Sequence, residues 1–221
     1  MDTVDQAQAM IFREITSDDS EVRGEYLKHF EGAANGFAVS MAKAFVKWRD
    51  FDNELKGDER RAQLSALVYV AITLHVLSMK AFLAGQPVAA GNLFRQVLEC
   101  IALALLCSGK ELDVLKRFME DKYSSNDAIR DVLRHHKKLS LKGDVLEVMK
   151  RSQDFYHKYS HVTTMTIAAA MSFSQKGGLY VGASFDDGKL DAYKKENNLR
   201  VSLADVFPNF VDGVFANVAK W

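Results

Sequence analysis

The chain has 221 residues, 48% apolar and 26% charged, a globular composition that buries roughly 70% of its unfolded surface. Its 29 lysines and arginines equal its 29 aspartates and glutamates, which argues against a dedicated duplex-DNA binder but does not exclude a local basic groove. The N-terminal MDTVDQAQAM is acidic and polar and does not read as a secretory signal.

Only two prolines, Pro87 and Pro208, interrupt the sequence, so long helices are expected. Residues 3 to 15 read as a short, weakly amphipathic helix. Thr16 to Ser20 (TSDDS) then offers side-chain oxygens to cap a long helix running to about Phe51. Phe30, Phe37, Met41, Phe45 and Trp48 recur at helical spacing and are expected to line its buried face. Gly32 and Gly36 weaken that helix locally or admit a close helix contact. KGDER at 56–60 is the break.

Residues 61–84 and 88–108 form a helical hairpin around Gly85-Gln86-Pro87, apolar nearly all round. A membrane span is not expected, because His75 and Lys80 cut the first arm and Arg95 and Glu99 the second. Cys100 and Cys107 lie about 10 Å apart along the second arm, too far to bridge. They read as buried thiols in a reducing cytoplasm. His75 reads as a core histidine.

Two shorter helices follow at 110–122 and 126–138, the second capped by Ser125 or Asn126. RHHKK at 134–138 ends it, where cations oppose the helix dipole. Gly143-Asp144 opens the helix richest in chemistry, expected to continue to about Ser172. KGGLYVGASFDDGKL then reads as a small β-hairpin-like excursion near 177–188. A helix near 189–197 precedes a last one starting at Ser202-Leu-Ala-Asp205, a variant capping box. The expectation is an all-α chain: a single helical bundle of about seven or eight helices over residues 1–221. Within it, 1–56 supplies the N-terminal helices, 61–173 the central bundle, and 174–221 the hairpin-like loop and C-terminal helices.

The stretch RSQDFYHKYSH, Arg151 to His161, concentrates the chemistry. At about 100° per residue, Phe155, Tyr156, Tyr159, Val162, Thr163 and Thr166 share the core face. Asp154, His157 and His161 share the opposite face, with Arg151 between. Three readings follow. His157 and His161 at i, i+4, with Asp154 a turn earlier, have metal-ligand spacing but lack the Glu of HExxH and a marked fourth ligand. Arg151 with His157 is the minimum set for cleaving RNA through its own 2′-hydroxyl. The plainest reading is a solvated face or a dimer contact.

Arg151 through His157 resembles the Arg-x(4–6)-His motif of the HEPN superfamily, with Ser152 where that family usually carries Asn, Asp or His. GNLFRQVLE and YSHVT are similar to the Arg-x3-Glu and Ser-His stretches of uncharacterised bacterial helical proteins, some considered HEPN-like. The resemblance implies a homodimer with Arg and His of both protomers at its interface. It also implies a metal-independent endoribonuclease of bacterial stress or phage defence. Arg151, Asp154, His157 and His161 are then the catalytic candidates, RNA the substrate, and no cofactor is expected. Arg95 and Glu99, at i, i+4 on an apolar helix, read first as a buried pair and otherwise as a substrate-binding cleft floor. The alternative function is a non-catalytic scaffold for an unknown protein partner.

Overall fold

The computed structural model describes residues 4–55, 57–139, 141 and 143–221, without the side chains of 143–148. Thr3 and Lys56, which entered the predicted N-terminal helix and the KGDER break, lie outside them. Nine α-helices occur among the described residues: α1 (Val4–Thr16), α2 (Ser20–Asn53), α3 (Glu59–Leu83), α4 (Pro87–Ser108), α5 (Val114–Met119), α6 (Ser125–His135), α7 (Gly143–Tyr156), α8 (Thr164–Ala170) and α9 (Leu190–Val218). Short 3₁₀ turns cover Lys110–Leu112, His157–Tyr159 and Asp187–Lys189. The architecture is an all-α bundle.

The α3–α4 hairpin is its centre, and α4 is buried along most of its length. Pro87 starts α4, where its missing N–H costs no helix hydrogen bond. Gly85 turns the chain at φ 71°, and a Cβ there would stand 2.8 Å from the Ser184 carbonyl. Only glycine fits this close approach of two backbones. By length and composition α3 and α4 could each cross a bilayer; α4 buries most of that apolar stretch inside the fold and α3 less than half.

The longest helices, α2 and α9, pack side by side. Phe51 stacks on Phe215 at 3.7 Å between centroids, and Lys47 pairs with Asp212 at 2.7 Å. Of the predicted α2 face, Phe30, Phe37 and Met41 are buried and Trp48 is half-buried, donating Nε1–H to Ser65. Phe45 is exposed instead, because Ala44 takes the inward position, and its ring lies tilted beside Trp48 at 5.3 Å between centroids. Gly32 and Gly36 make no close helix contact; nothing lies within 4 Å of where their Cβ atoms would be.

Four other expectations need correction. The 110–122 segment is not one helix, since Asp113 adopts φ 47° and separates the first 3₁₀ turn from α5. Helix α6 is capped by Ser124, whose hydroxyl accepts the Asn126 N–H. Ser202 and Asp205 do not start a helix. Tyr193, Arg200, Ala204, Phe207, Val211, Val214 and Val218 form an unbroken buried face, and Asp205 accepts from Ser40 instead. The excursion near 177–188 makes only the single antiparallel bridge Met171–Leu179 and no strand among the described residues. Its shape comes from Asp186, whose carboxylate accepts the N–H groups of Phe173, Ser174 and Gly188. Burial alone would raise that carboxyl, but these donors outweigh it and hold it at about 2.

Candidate functional site at the end of α7

The predicted helix to Ser172 ends sixteen residues early. Tyr156 and Tyr159 turn inward, and their hydroxyls donate to the two carboxylate oxygens of Glu196 at 2.8 and 2.9 Å. Reaching both oxygens tightens the last turn into the 3₁₀ segment His157–Tyr159. Thr163 then takes an extended conformation and caps α8 in a reciprocal box with Thr166. The helical face therefore loses phase at residue 157. Tyr156 and Tyr159 are core as expected, and Phe155 packs against the core, but Val162 is 91% exposed.

Arg95 anchors the same segment from the side. Its Nε donates to Glu99 at 2.8 Å, Nη1 to the Ser160 hydroxyl at 2.6 Å and Nη2 to Asn126 Oδ1 at 2.9 Å. Asn92 adds a bond to the Tyr159 carbonyl. The two stretches that carry the broader resemblance, GNLFRQVLE and YSHVT, thus meet in space. The guanidinium joins α4 to α6 and to the end of α7, and each of its three nitrogens is engaged. Arg95 and Glu99 are both largely buried, as a pair fixing helix packing requires.

Pinned from inside and from the side, the segment turns Arg151, Asp154, His157 and His161 outward, and all four are exposed. The His157 and His161 rings touch edge to face, with centroids 4.5 Å apart. Among the described residues no three His, Cys, Asp or Glu side chains converge as a metal site. Lys150 and Lys158 are also exposed nearby, which makes the surface locally basic.

A second polar cluster, of which the sequence reading singled out only His75, as a core residue, lies inside the bundle. Arg200 is wholly buried and donates to Glu196 at 2.7 Å and to the Ser78 hydroxyl at 3.0 Å. His75, also buried, places Nε2 3.1 Å from the Arg200 carbonyl. A carbonyl only accepts, so the proton sits on Nε2. Burial, and then the charge of Arg200, lower the His75 pKa to about 3. Glu196 and Arg200 repeat the i, i+4 spacing of Arg95 and Glu99, the one signal by which the sequence marks them. Cys100 and Cys107 are free, and burial pushes their thiols up to about 11 and about 12, so neither is a reactive thiolate.

No family model, no curated protein and no solved structure matches the chain.

Proposed function

We propose that this chain works as a self-associating, HEPN-like helical module, with the Arg151–His161 surface at the contact between two copies. The observation that carries this reading is the exposed apolar run that continues the polar quartet: Val162, Ile167, Met171, Phe173, Leu179 and Val181. Exposed apolar side chains following charged and polar ones along the chain supply the residue types of a protein interface. A second copy is the proposed occupant because the resemblance implies a dimer.

A second reading goes further, and the contact between the two imidazoles favours it. Two such surfaces facing one another form a groove for RNA. Arg151 neutralises the scissile phosphate, and one histidine takes the 2′-hydroxyl proton while that oxygen attacks phosphorus. A protonated histidine gives its proton to the departing 5′-oxygen, and Asp154 orients the pair. The setting would be a cytoplasmic bacterial stress or phage-defence response. Without cleavage, the same dimer is a scaffold for a protein partner.

Light scattering with RNA cleavage in EDTA tests both readings. A rival dimer face exists on α3, where Tyr69, Val70, Val76 and Leu77 are exposed at helical spacing. Wild type should be a dimer at micromolar concentration, Val162→Glu a monomer, and Leu77→Glu still a dimer. A monomeric wild type, or a dimer broken only by Leu77→Glu, overturns the shared surface and the composite site with it. Cleavage in EDTA that is lost in His157→Ala and Arg151→Lys supports the nuclease, since a lysine lacks the planar fork. A dimer that cleaves no RNA overturns the nuclease and leaves the scaffold.

A further inference from the structure

We infer that the cavity between α8 and α9 is a binding site for a small monocarboxylate with an aromatic or branched body. The cavity measures about 150 Å³ and is walled mainly by Phe82, Met165, Ala168, Phe173, Ala192 and Tyr193. A space of about that size and lining holds a benzene-sized molecule, so the occupant's body is apolar and small.

The charged groups in the wall set its remaining chemistry. Arg200, Lys189 and Glu196 all reach the cavity. Both oxygens of Glu196 are taken by Tyr156, Tyr159 and Arg200. Arg200 uses Nε and Nη1, but its buried Nη2 has no hydrogen-bond partner among the described residues. Phe82 and Phe94 pack on the guanidinium at 5.1 and 5.4 Å. A ring face attracts the cation's charge, yet it leaves an N–H unmatched by any oxygen. Lys189 is buried as well. Its ammonium donates to the Ala169 carbonyl at 3.0 Å, and no carboxylate lies within ion-pair reach among the described residues. The nearby Asp186 stays ionised and attracts Lys189, but its oxygens bond backbone N–H groups and give the ammonium no direct partner.

The wall itself therefore carries two cations and one carboxylate whose oxygens are already taken, while the charge of Asp186 reaches Lys189 from outside it. An incoming carboxylate brings acceptors for both the unpartnered Arg200 Nη2 and the Lys189 ammonium. A phosphate dianion would lose far more hydration in so apolar a space. Helix α8 buries none of its own side chains, so an occupant would fasten it to α9. Tyr159, also in the wall, would link that occupant to the segment carrying His157 and His161.

Benzoate is the probe, with benzyl alcohol as a neutral molecule of similar shape and sodium chloride to match ionic strength. Thermal unfolding and calorimetric titration should show saturable benzoate binding to wild type, with benzyl alcohol at least tenfold weaker. Lys189→Met should bind the two equally. Ala192→Leu and Ala168→Met, which fill the cavity from opposite walls, should bind neither while retaining the helical circular dichroism of wild type. Wild type that does not bind benzoate, or binds both molecules equally, overturns the site. So does Lys189→Met that keeps the preference, or benzoate binding that survives in both filled variants.

Discussion

Two buried acid–base pairs at i, i+4 organise this protein, and they differ in what depends on them. Among the described residues Glu99 serves Arg95 alone, and Arg95 keeps Ser160 and Asn126 when Glu99 is removed. Glu196 serves Arg200, Tyr156 and Tyr159 together, all buried. Taking an acceptor away leaves each buried donor with its desolvation cost and no bond. Glu99→Ala should therefore destabilise by about 3 kcal/mol and Glu196→Ala by about 5 kcal/mol. Urea unfolding checks the ranking; equal losses would mean that the two tyrosine hydroxyls are satisfied elsewhere. The first pair was legible in the sequence because both members sit on one apolar helix. Its partners were not, since Asn126 and Ser160 lie 31 and 65 positions from Arg95.

Among the elements, the decisive feature is the break after α7. It depends on how closely the 3₁₀ segment lies on α4. At Gly91 an added Cβ would stand 2.5 Å from the Tyr159 ring, so no other residue admits this contact without movement. Gly91→Ala should cost about 1–3 kcal/mol by overpacking, although alanine suits a helix better than glycine does. It should also speed amide exchange from His157 to Thr163. Adding Tyr159→Ala should recover part of that cost, because the two changes meet at one contact. Strictly additive losses in a double-mutant cycle would show that the ring does not press on Gly91. Helix α9 shows the opposite balance: a local capping signal at Ser202 yields to a buried face continuous through it.

At the scale of the whole molecule, stability should depend on pH through His75, where α2, α3, α4 and α9 meet. Phe37, Phe94 and Phe207 surround its ring at 4.8, 5.6 and 5.6 Å, and Arg200 is the charged neighbour. Unfolded, the imidazole takes its proton near 6.5; folded, near 3. Between those values the unfolded chain binds more protons, so stability falls as pH falls, by about 1.4 kcal/mol per unit. Above 6.5 this residue contributes no slope. Denaturant unfolding from pH 7 to pH 4 should show that loss in wild type and a shallower one in His75→Phe. Parallel curves would mean that the folded protein accommodates the protonated ring.

The sequence by itself determined the all-α class and the long helices α2, α3 and α4, because 3.6-residue periodicity and two sparse prolines are local properties. It placed the α3–α4 hairpin at Gly85-Gln86-Pro87, since turn chemistry is carried by the turn residues themselves. It also identified Arg95 with Glu99, and an outward polar set at Arg151, Asp154, His157 and His161. Only the tertiary structure decided where the α7 helix stops, because the cause is a carboxylate in α9 that draws in Tyr156 and Tyr159. The same holds for the exposure of Val162, for the junction of Arg95 with Ser160, and for the cavity against Arg200 and Lys189. These arise where segments far apart in the chain compete for one buried donor or acceptor, and a local pattern carries no record of that competition.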